Sequence, residues 1–157
     1  MSQIQNLTAL HDQDILLWSE EIVAKLKARD FEHLDIENLI AEVEALGIAP
    51  KKELLSRLIV LLEHLLKRLY VALPYAALPN DYNGWERTIR TQRTELELLL
   101  DAAPSLRNRW AESFDKAWRI ALKNVHQEYG QVDFPAEWTA SCSPEAILND
   151  AFWLTES

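Results

Sequence analysis

The sequence predicts an all-α fold, a single-domain bundle of about five main helices over residues 1–157 with a C-terminal aromatic strap. The chain has 157 residues, which is the size of one domain and enough to bury a core. Apolar residues make up 48% of it, well above the composition of a disordered chain. Only 3 glycines and 6 prolines are present, too few for the turns that many short strands require.

The first two predicted helices lie in the N-terminal third. Residues 13–28 form the first, with apolar residues at helical spacing: Ile15, Trp18, Ile22 and Leu26. The second spans 35–47, "DIENLIAEVEALG", with Asp35 as N-cap and Gly47 as its stop. Its apolar stripe is expected to face the core and contains Ile36, Leu39, Ile40, Val43 and Leu46. Asp35 and Glu42 border the stripe on one side, and Glu37 and Glu44 border it on the other, so no carboxylate is expected in the core.

The third and fourth helices are predicted on either side of a loop at residues 74–84. The third begins at Pro50, a residue tolerated in a first turn, and continues to about Leu73. The fourth begins after Asn83, an N-cap with Glu86 three residues later as in a capping box, and ends near residue 102. Its apolar stripe contains Trp85, Ile89, Leu96, Leu99 and Leu100.

The fifth helix follows Pro104 and ends before Gly130. One side of it is expected to be buried: Leu106, Trp110, Phe114, Ala117, Ala121 and Val125. Ser143 and Pro144 have the residue types of an N-cap and first helical position, which predicts a short last helix. The tail also carries aromatic residues that would be costly to leave in water, so it is expected to pack across the bundle: Phe134, Trp138, Phe152 and Trp153.

Charge and residue usage exclude several classes of function. The net charge is −9, which disfavours nucleic acid as a partner. The charge is uneven, with −7 over residues 1–50 and +2 over 51–100, so the acidic first third could pack beside the basic middle. Cys142 is the only cysteine, which excludes an intramolecular disulfide and a cysteine-based zinc site. No Glu-x-x-His pair and no glycine-rich phosphate loop is present, so neither a metal nor a cofactor is predicted.

The sequence also predicts a cytoplasmic protein that does not enter membranes. The N-terminus lacks the cationic start and apolar run of a secretory signal. The longest apolar stretch, residues 54–73, is interrupted by Arg57, Glu63, His64, Lys67 and Arg68 and is unsuited to crossing a bilayer.

Polar residues on the third and fourth helices are candidates for a site. His64 lies on the polar half of the third helix, whose neighbours there include Glu53, Arg57 and Arg68. Gln92 falls near the middle of the apolar stripe of the fourth helix, with Arg93 at its border. Two interpretations are open: a polar network that fixes the helix register, or the polar floor of a pocket.

Several spaced motifs resemble those of domain-of-unknown-function family 29. They comprise Asp14 to Trp18, Asn38-Leu39 with Glu42-Val43-Glu44 and Gly47, Leu61 to Lys67, Gln92-Arg93 and Pro104-Ser105-Leu106. Ala41 stands where the family often has a second glutamate. The resemblance implies a small bacterial all-helical protein of unassigned activity. Its polar positions form the candidate site: Glu42, Glu44, His64, Lys67, Gln92 and Arg93.

Two functional hypotheses follow. The first is a non-catalytic protein-interaction module, whose partner has a basic face or is a second copy of the chain. The alternative is a small enzyme or ligand-binding protein with a polar inter-helical cleft formed by Glu42, His64, Gln92 and Arg93.

Overall fold

The computed structural model describes residues 2–72 and 81–154, and this part of the chain contains helices and no strand. The α-helices are α1 (Gln3–Gln13), α2 (Ile15–Lys27), α3 (Ile36–Tyr70), α4 (Asp81–Ala102), α5 (Trp110–Glu128) and α6 (Pro144–Asn149). Two 3₁₀-helices, Phe31–His33 and Pro104–Arg109, precede α3 and α5. The all-α prediction with about five main helices is therefore confirmed.

The chain divides into two compact units, the first ending at Ala49 and the second beginning at Pro50. The single-domain expectation stays a prediction. Among the described residues, no helix combines the length and the apolar composition that crossing a bilayer requires.

The first unit begins with α1, which the sequence analysis did not predict. A capping box starts this helix: the Ser2 hydroxyl accepts from the Gln5 amide nitrogen, and the Gln5 side chain accepts from the Ser2 nitrogen. Asp14 ends α1 and caps α2, because its carboxylate accepts from the Leu17 nitrogen at 3.1 Å. The core of this unit is small, with four buried apolar residues and three partly buried ones around them: Leu7, Trp18, Ile22 and Leu34, then Leu10, Leu26 and Leu39.

The second and third predicted helices are one continuous helix, α3. It begins at Ile36, directly after Asp35 as predicted, but the predicted stop at Gly47 is wrong. Gly47 does not adopt the positive φ of a glycine that ends a helix, and Pro50 lies inside the helix. In an exposed helix interior a glycine costs about 1 kcal/mol and a proline about 3 kcal/mol. We infer that burial of the leucines that follow Pro50 outweighs this cost.

The core of the second unit is formed by the part of α3 after Pro50, together with α4 and α5. Seven residues of that part of α3 are buried: Leu54, Leu58, Leu61, Leu62, Leu65, Leu66 and Lys67. The predicted buried side of the fifth helix is confirmed, since Leu106 and all five α5 positions named for it are buried. The predicted N-cap at Asn83 is wrong, because α4 already begins at Asp81 and the Glu86 carboxylate accepts from Arg68 Nε at 2.8 Å. Of the predicted loop 74–84, residues 74–80 lie outside the described residues.

The tail packs on the core of the second unit, as predicted. Phe134 is buried, and Trp138, Phe152 and Trp153 are partly buried against the core. The indole of Trp110 donates to the Cys142 carbonyl at 2.8 Å, and that of Trp118 donates to the Ala136 carbonyl at 3.0 Å. The predicted cap of the last helix is also confirmed, because Ser143 Oγ accepts from the Ala146 nitrogen and Pro144 is the first residue of α6.

Candidate functional site

The described part of the first unit exposes more large apolar side chains than that of the second. Of thirteen large apolar side chains exposed in the described residues, eleven lie before Pro50: Ile4, Ile15, Leu16, Leu17, Val23, Phe31, Ile36, Ile40, Val43, Leu46 and Ile48. Scattered exposed apolar residues are ordinary in proteins, but a concentration in one small unit marks an interaction surface or a region prone to aggregation. This surface is the strongest functional candidate in the first unit.

Three of these residues form a regular stripe on the first half of α3. Ile36, Ile40 and Val43 follow one another at spacings of four and three, which places them on one side of the helix, and they are 47%, 51% and 58% exposed. The prediction that this stripe faces the core is wrong for these residues and for Leu46, which is 74% exposed. We call Ile36, Ile40 and Val43 the α3 stripe. Glu37 and Glu44 are both exposed and lie along one border of it.

A different side of the same helix segment holds it to α1 and α2. Leu39 packs against the core of the first unit. Asp35 is buried, and its Oδ2 accepts from the indole of Trp18 at 3.1 Å and from Asn38 Nδ2 at 2.7 Å. The expectation that no carboxylate of this segment enters the interior is therefore wrong for Asp35. Its two hydrogen bonds compensate for its burial and fix the start of α3 against α2.

Glu42 contacts His11 of α1. His11 Nε2 lies 2.7 Å from Glu42 Oε1, and the imidazole packs edge-on against the Trp18 ring with centroids 4.9 Å apart. The bond to Glu42 is the main reason that the pKa of His11 lies above its ordinary value of 6.5. Partial burial opposes the rise, and Asp12 adds to it. The Nδ1 atom of His11 is shielded from solvent and lies 3.5 Å from Asp12 Oδ1. In the neutral imidazole its lone pair faces the carboxylate, which is unfavourable. In the protonated imidazole an N–H faces the carboxylate, which is favourable.

This geometry predicts a pH dependence for the first unit. A raised folded-state pKa means that His11 contributes stability that is fully present below pH 6.5 and is lost as the pH rises through its folded-state pKa. The stability advantage of the wild-type chain over His11→Gln should therefore be largest below pH 6.5 and shrink above it. Denaturant unfolding of both proteins across this pH range measures the difference.

His64 also makes stability depend on pH, but in the opposite direction to His11. Its contribution cancels when the stability of the wild-type chain is compared with that of His11→Gln. Burial lowers the pKa of His64, so its contribution is lost as the pH falls, and both proteins contain it. An NMR titration of the imidazole signals gives the direct measurement. A His11 pKa at or below 6.5 in the folded chain would contradict the prediction.

The candidate residues of the second unit have different direct partners, although the charges of Lys67 and Glu128 also act on His64. His64 Nδ1 lies 2.7 Å from the Val60 carbonyl of its own helix. Lys67 is buried, with its Nζ 3.4 Å from Glu128 Oε2 and 5.9 Å from the centre of the Trp85 ring. Arg93 donates from Nε to the Ile147 carbonyl and from Nη2 to the Asp150 carbonyl, at 2.9 and 2.7 Å. Arg93 thus holds α6 to α4.

Gln92 belongs to a small network centred on Arg57. Its Oε1 accepts from Arg57 Nη1 at 3.3 Å, and Arg57 Nε donates to Glu53 Oε1 at 2.8 Å. Glu95 Oε2 lies 3.5 Å from Arg57 Nη2. The network links α3 to α4 and agrees with the interpretation of Gln92 as a residue that fixes helix register.

The six predicted site residues make different direct contacts, although His64 and Lys67 both lie near Glu128. Glu42 binds His11, Glu44 is exposed on the border of the α3 stripe, and His64, Lys67, Gln92 and Arg93 each have their own partners. Within residues 2–72 and 81–154, no three or more histidine, cysteine, aspartate or glutamate side chains are grouped as metal ligands would be.

Sequence reasoning missed two pairs in the first unit, His11–Glu42 and Trp18–Asp35. These pairs join residues 31 and 17 positions apart, and no local spacing rule relates them. A signal for the first did exist, because Ser2 and Gln5 have the residue types of a capping box that starts α1 and so places His11 on a helix.

The comparisons with known proteins identify a family for the chain. No curated protein and no solved structure matches the chain significantly. One family model, described as "Domain of unknown function DUF29", matches residues 10–153, which is nearly the whole chain. The chain therefore belongs to the DUF29 family.

Proposed function

We propose that the chain is a non-catalytic, cytoplasmic protein-interaction module whose first unit binds an amphipathic helix with basic residues beside its apolar stripe. The observation that carries the proposal is the concentration of exposed apolar side chains before Pro50, with the α3 stripe at its most regular part. A helix-spaced apolar stripe is the surface that another amphipathic helix fits, because both present side chains at spacings of three and four.

Charge favours a basic partner. Residues 1–50 carry 3 basic and 10 acidic side chains, a net charge of −7. Glu37 and Glu44 stand exposed at the border of the α3 stripe, where lysines or arginines flanking a partner's apolar residues would meet them. A second copy of the chain would bring a surface of the same negative sign, so electrostatic repulsion opposes that occupant.

The expected affinity gain from the stripe is modest but measurable. Full burial of an isoleucine or valine contributes about 1.5–3 kcal/mol, and these three side chains are already about half buried. Covering the rest contributes about 1 kcal/mol per residue by the same measure. The alternative, an enzyme or ligand-binding protein, has less support, since Glu42, His64, Gln92 and Arg93 are each engaged by a different protein group.

Two synthetic helical peptides test the proposal. Both carry one leucine stripe, bordered by lysines in one peptide and by glutamates in the other. The chain should bind the lysine peptide and bind the glutamate peptide much more weakly in fluorescence anisotropy. The double variant Ile40→Asn with Val43→Asn should weaken binding of the lysine peptide by about tenfold or more, since 1.4 kcal/mol corresponds to tenfold.

The matched control is Leu98→Asn, which changes an exposed apolar residue of α4 in the second unit and should leave binding unchanged. Equal binding of the two peptides, or equal effects of the stripe and control variants, would overturn the proposal. Sedimentation velocity tests whether a second copy of the chain binds the α3 stripe. A concentration-dependent dimer that the double variant abolishes would assign the stripe to that second copy.

A further inference from the structure

A cavity in the second unit gathers basic side chains from α3, from the end of the 3₁₀-helix Pro104–Arg109 and from the start of α5. Its volume is about 230 Å³. Seven residues line it: Lys51, Lys52, Leu55, Arg109, Glu112, Ser113 and Lys116. Four of them are cations and one is a carboxylate, in a chain whose net charge is −9. The local charge is therefore opposite in sign to that of the protein as a whole.

The residues that line the cavity are close neighbours in two segments of the chain. Lys51, Lys52 and Leu55 lie within one turn of α3, with the lysines exposed and Leu55 half buried. Ser113 and Lys116 are three residues apart on α5 and lie on one face of that helix, and Arg109 is the last residue of the 3₁₀-helix that leads into α5. Leu55 and Ser113 are less exposed than the cations, so the charged groups surround a more sheltered floor.

Among the described residues, the four cations form no ion pair, and Glu112 is the one carboxylate that lines the cavity with them. In the part of the chain that the structure describes, the ion pairs formed by lysine and arginine involve Arg57, Lys67, Arg68 and Arg107, and none involves a cation of this cavity. Four cations beside a single carboxylate leave a net positive charge, and a bound multivalent anion would reduce the repulsion between the cations.

We propose that this cavity binds the phosphate groups of a small phosphorylated molecule. The guanidinium of Arg109 can donate two parallel hydrogen bonds to phosphate oxygens, the lysines add point charges, and the hydroxyl of Ser113 can donate a further hydrogen bond. A cavity of about 230 Å³ suits a small anionic group, and the overall charge of −9 disfavours a long polyanion such as nucleic acid. The site lies in the second unit, so it is independent of the protein-interaction surface proposed for the first.

Isothermal titration calorimetry with pyrophosphate tests the site, with citrate as a non-phosphate anion of comparable charge. Pyrophosphate should bind the wild-type chain more tightly than citrate, and binding should weaken as sodium chloride is raised. Arg109→Gln with Lys116→Gln should weaken pyrophosphate binding by about tenfold or more. In NMR spectra, pyrophosphate should shift the backbone amide signal of Ser113.

The control variant is Arg119→Gln with Lys123→Gln, which removes the same charge from two exposed positions of α5 outside the cavity. It should change the affinity less than twofold. All four substituted side chains are exposed, so unchanged circular dichroism spectra should show that both variants fold. Absence of pyrophosphate binding at millimolar concentration, an equal loss in the control, or equal binding of citrate would overturn the proposal.

Discussion

Truncation of Leu61 to alanine is expected to lower the free energy of unfolding of the second unit by about 2–5 kcal/mol. The Leu61 side chain is completely buried on α3, within the core formed with α4 and α5. Alanine removes apolar contacts and leaves a cavity that the close-packed neighbours fill only in part. Guanidinium unfolding followed by tryptophan fluorescence measures the change, because five of the six tryptophans lie after Pro50.

Leu98→Ala is the matched control for this truncation. It makes the same chemical change on α4, but the Leu98 side chain is 58% exposed, so the expected loss is within about 0.5 kcal/mol. The slope of the unfolding free energy against denaturant concentration should be the same in the wild type, Leu61→Ala and Leu98→Ala. An equal slope shows that a substitution changes stability without changing the surface exposed on unfolding. Similar losses for the two variants would contradict the assignment of Leu61 to the core.

Sequence and structure agree best where the apolar side of a helix packs against other helices of the same chain. The apolar side predicted for the fifth helix is buried in the structure, from Trp110 to Val125. A period of 3.6 residues identifies an apolar side reliably. It does not identify what covers that side, and this is why the same reasoning failed for Ile36, Ile40 and Val43, which are exposed.

Helix boundaries failed where local preferences compete with packing. Gly47 and Pro50 favour a break, yet α3 continues through both. The local sequence shows the helix-breaking preferences of these two residues. It does not show the compensating burial of residues such as Leu54 and Leu58, because that burial depends on packing against α4 and α5. Fold class was predictable because it depends on composition and on many helical turns at once.

Among site residues, the types were predictable but the partners were not. The sequence marks Gln92 as an unusual polar residue in an apolar stripe, and the structure supplies Arg57 as its hydrogen-bond donor. It marks Asp35 as an N-cap position, and only the packing of α2 brings the indole of Trp18 to its carboxylate. Contacts of this kind depend on the angle between two helices, which no spacing within one helix specifies.

The Trp18–Asp35 contact gives the largest expected effect in the first unit. Asp35→Ala should destabilise this unit by about 1–3 kcal/mol for each buried donor left without an acceptor. The indole of Trp18 and the amide of Asn38 both donate to Asp35 Oδ2, and Trp18 is buried. The core of this unit has only four buried apolar residues, so a loss of this size is a large fraction of what its packing can supply.

Amide hydrogen exchange read residue by residue separates this effect from changes in the second unit. In Asp35→Ala, protection should fall in α1, in α2 and at the start of α3, while the helices of the second unit keep their protection. Asp35→Asn retains a side-chain oxygen that can accept from the indole, so it should lose less protection than the alanine variant. The exchange rate of the Trp18 indole proton should follow the same order, slowest in the wild type and fastest with alanine. Equal protection of this proton in all three proteins would show that the buried carboxylate does not hold α2 to α3, and that Leu39 and its apolar neighbours do so alone.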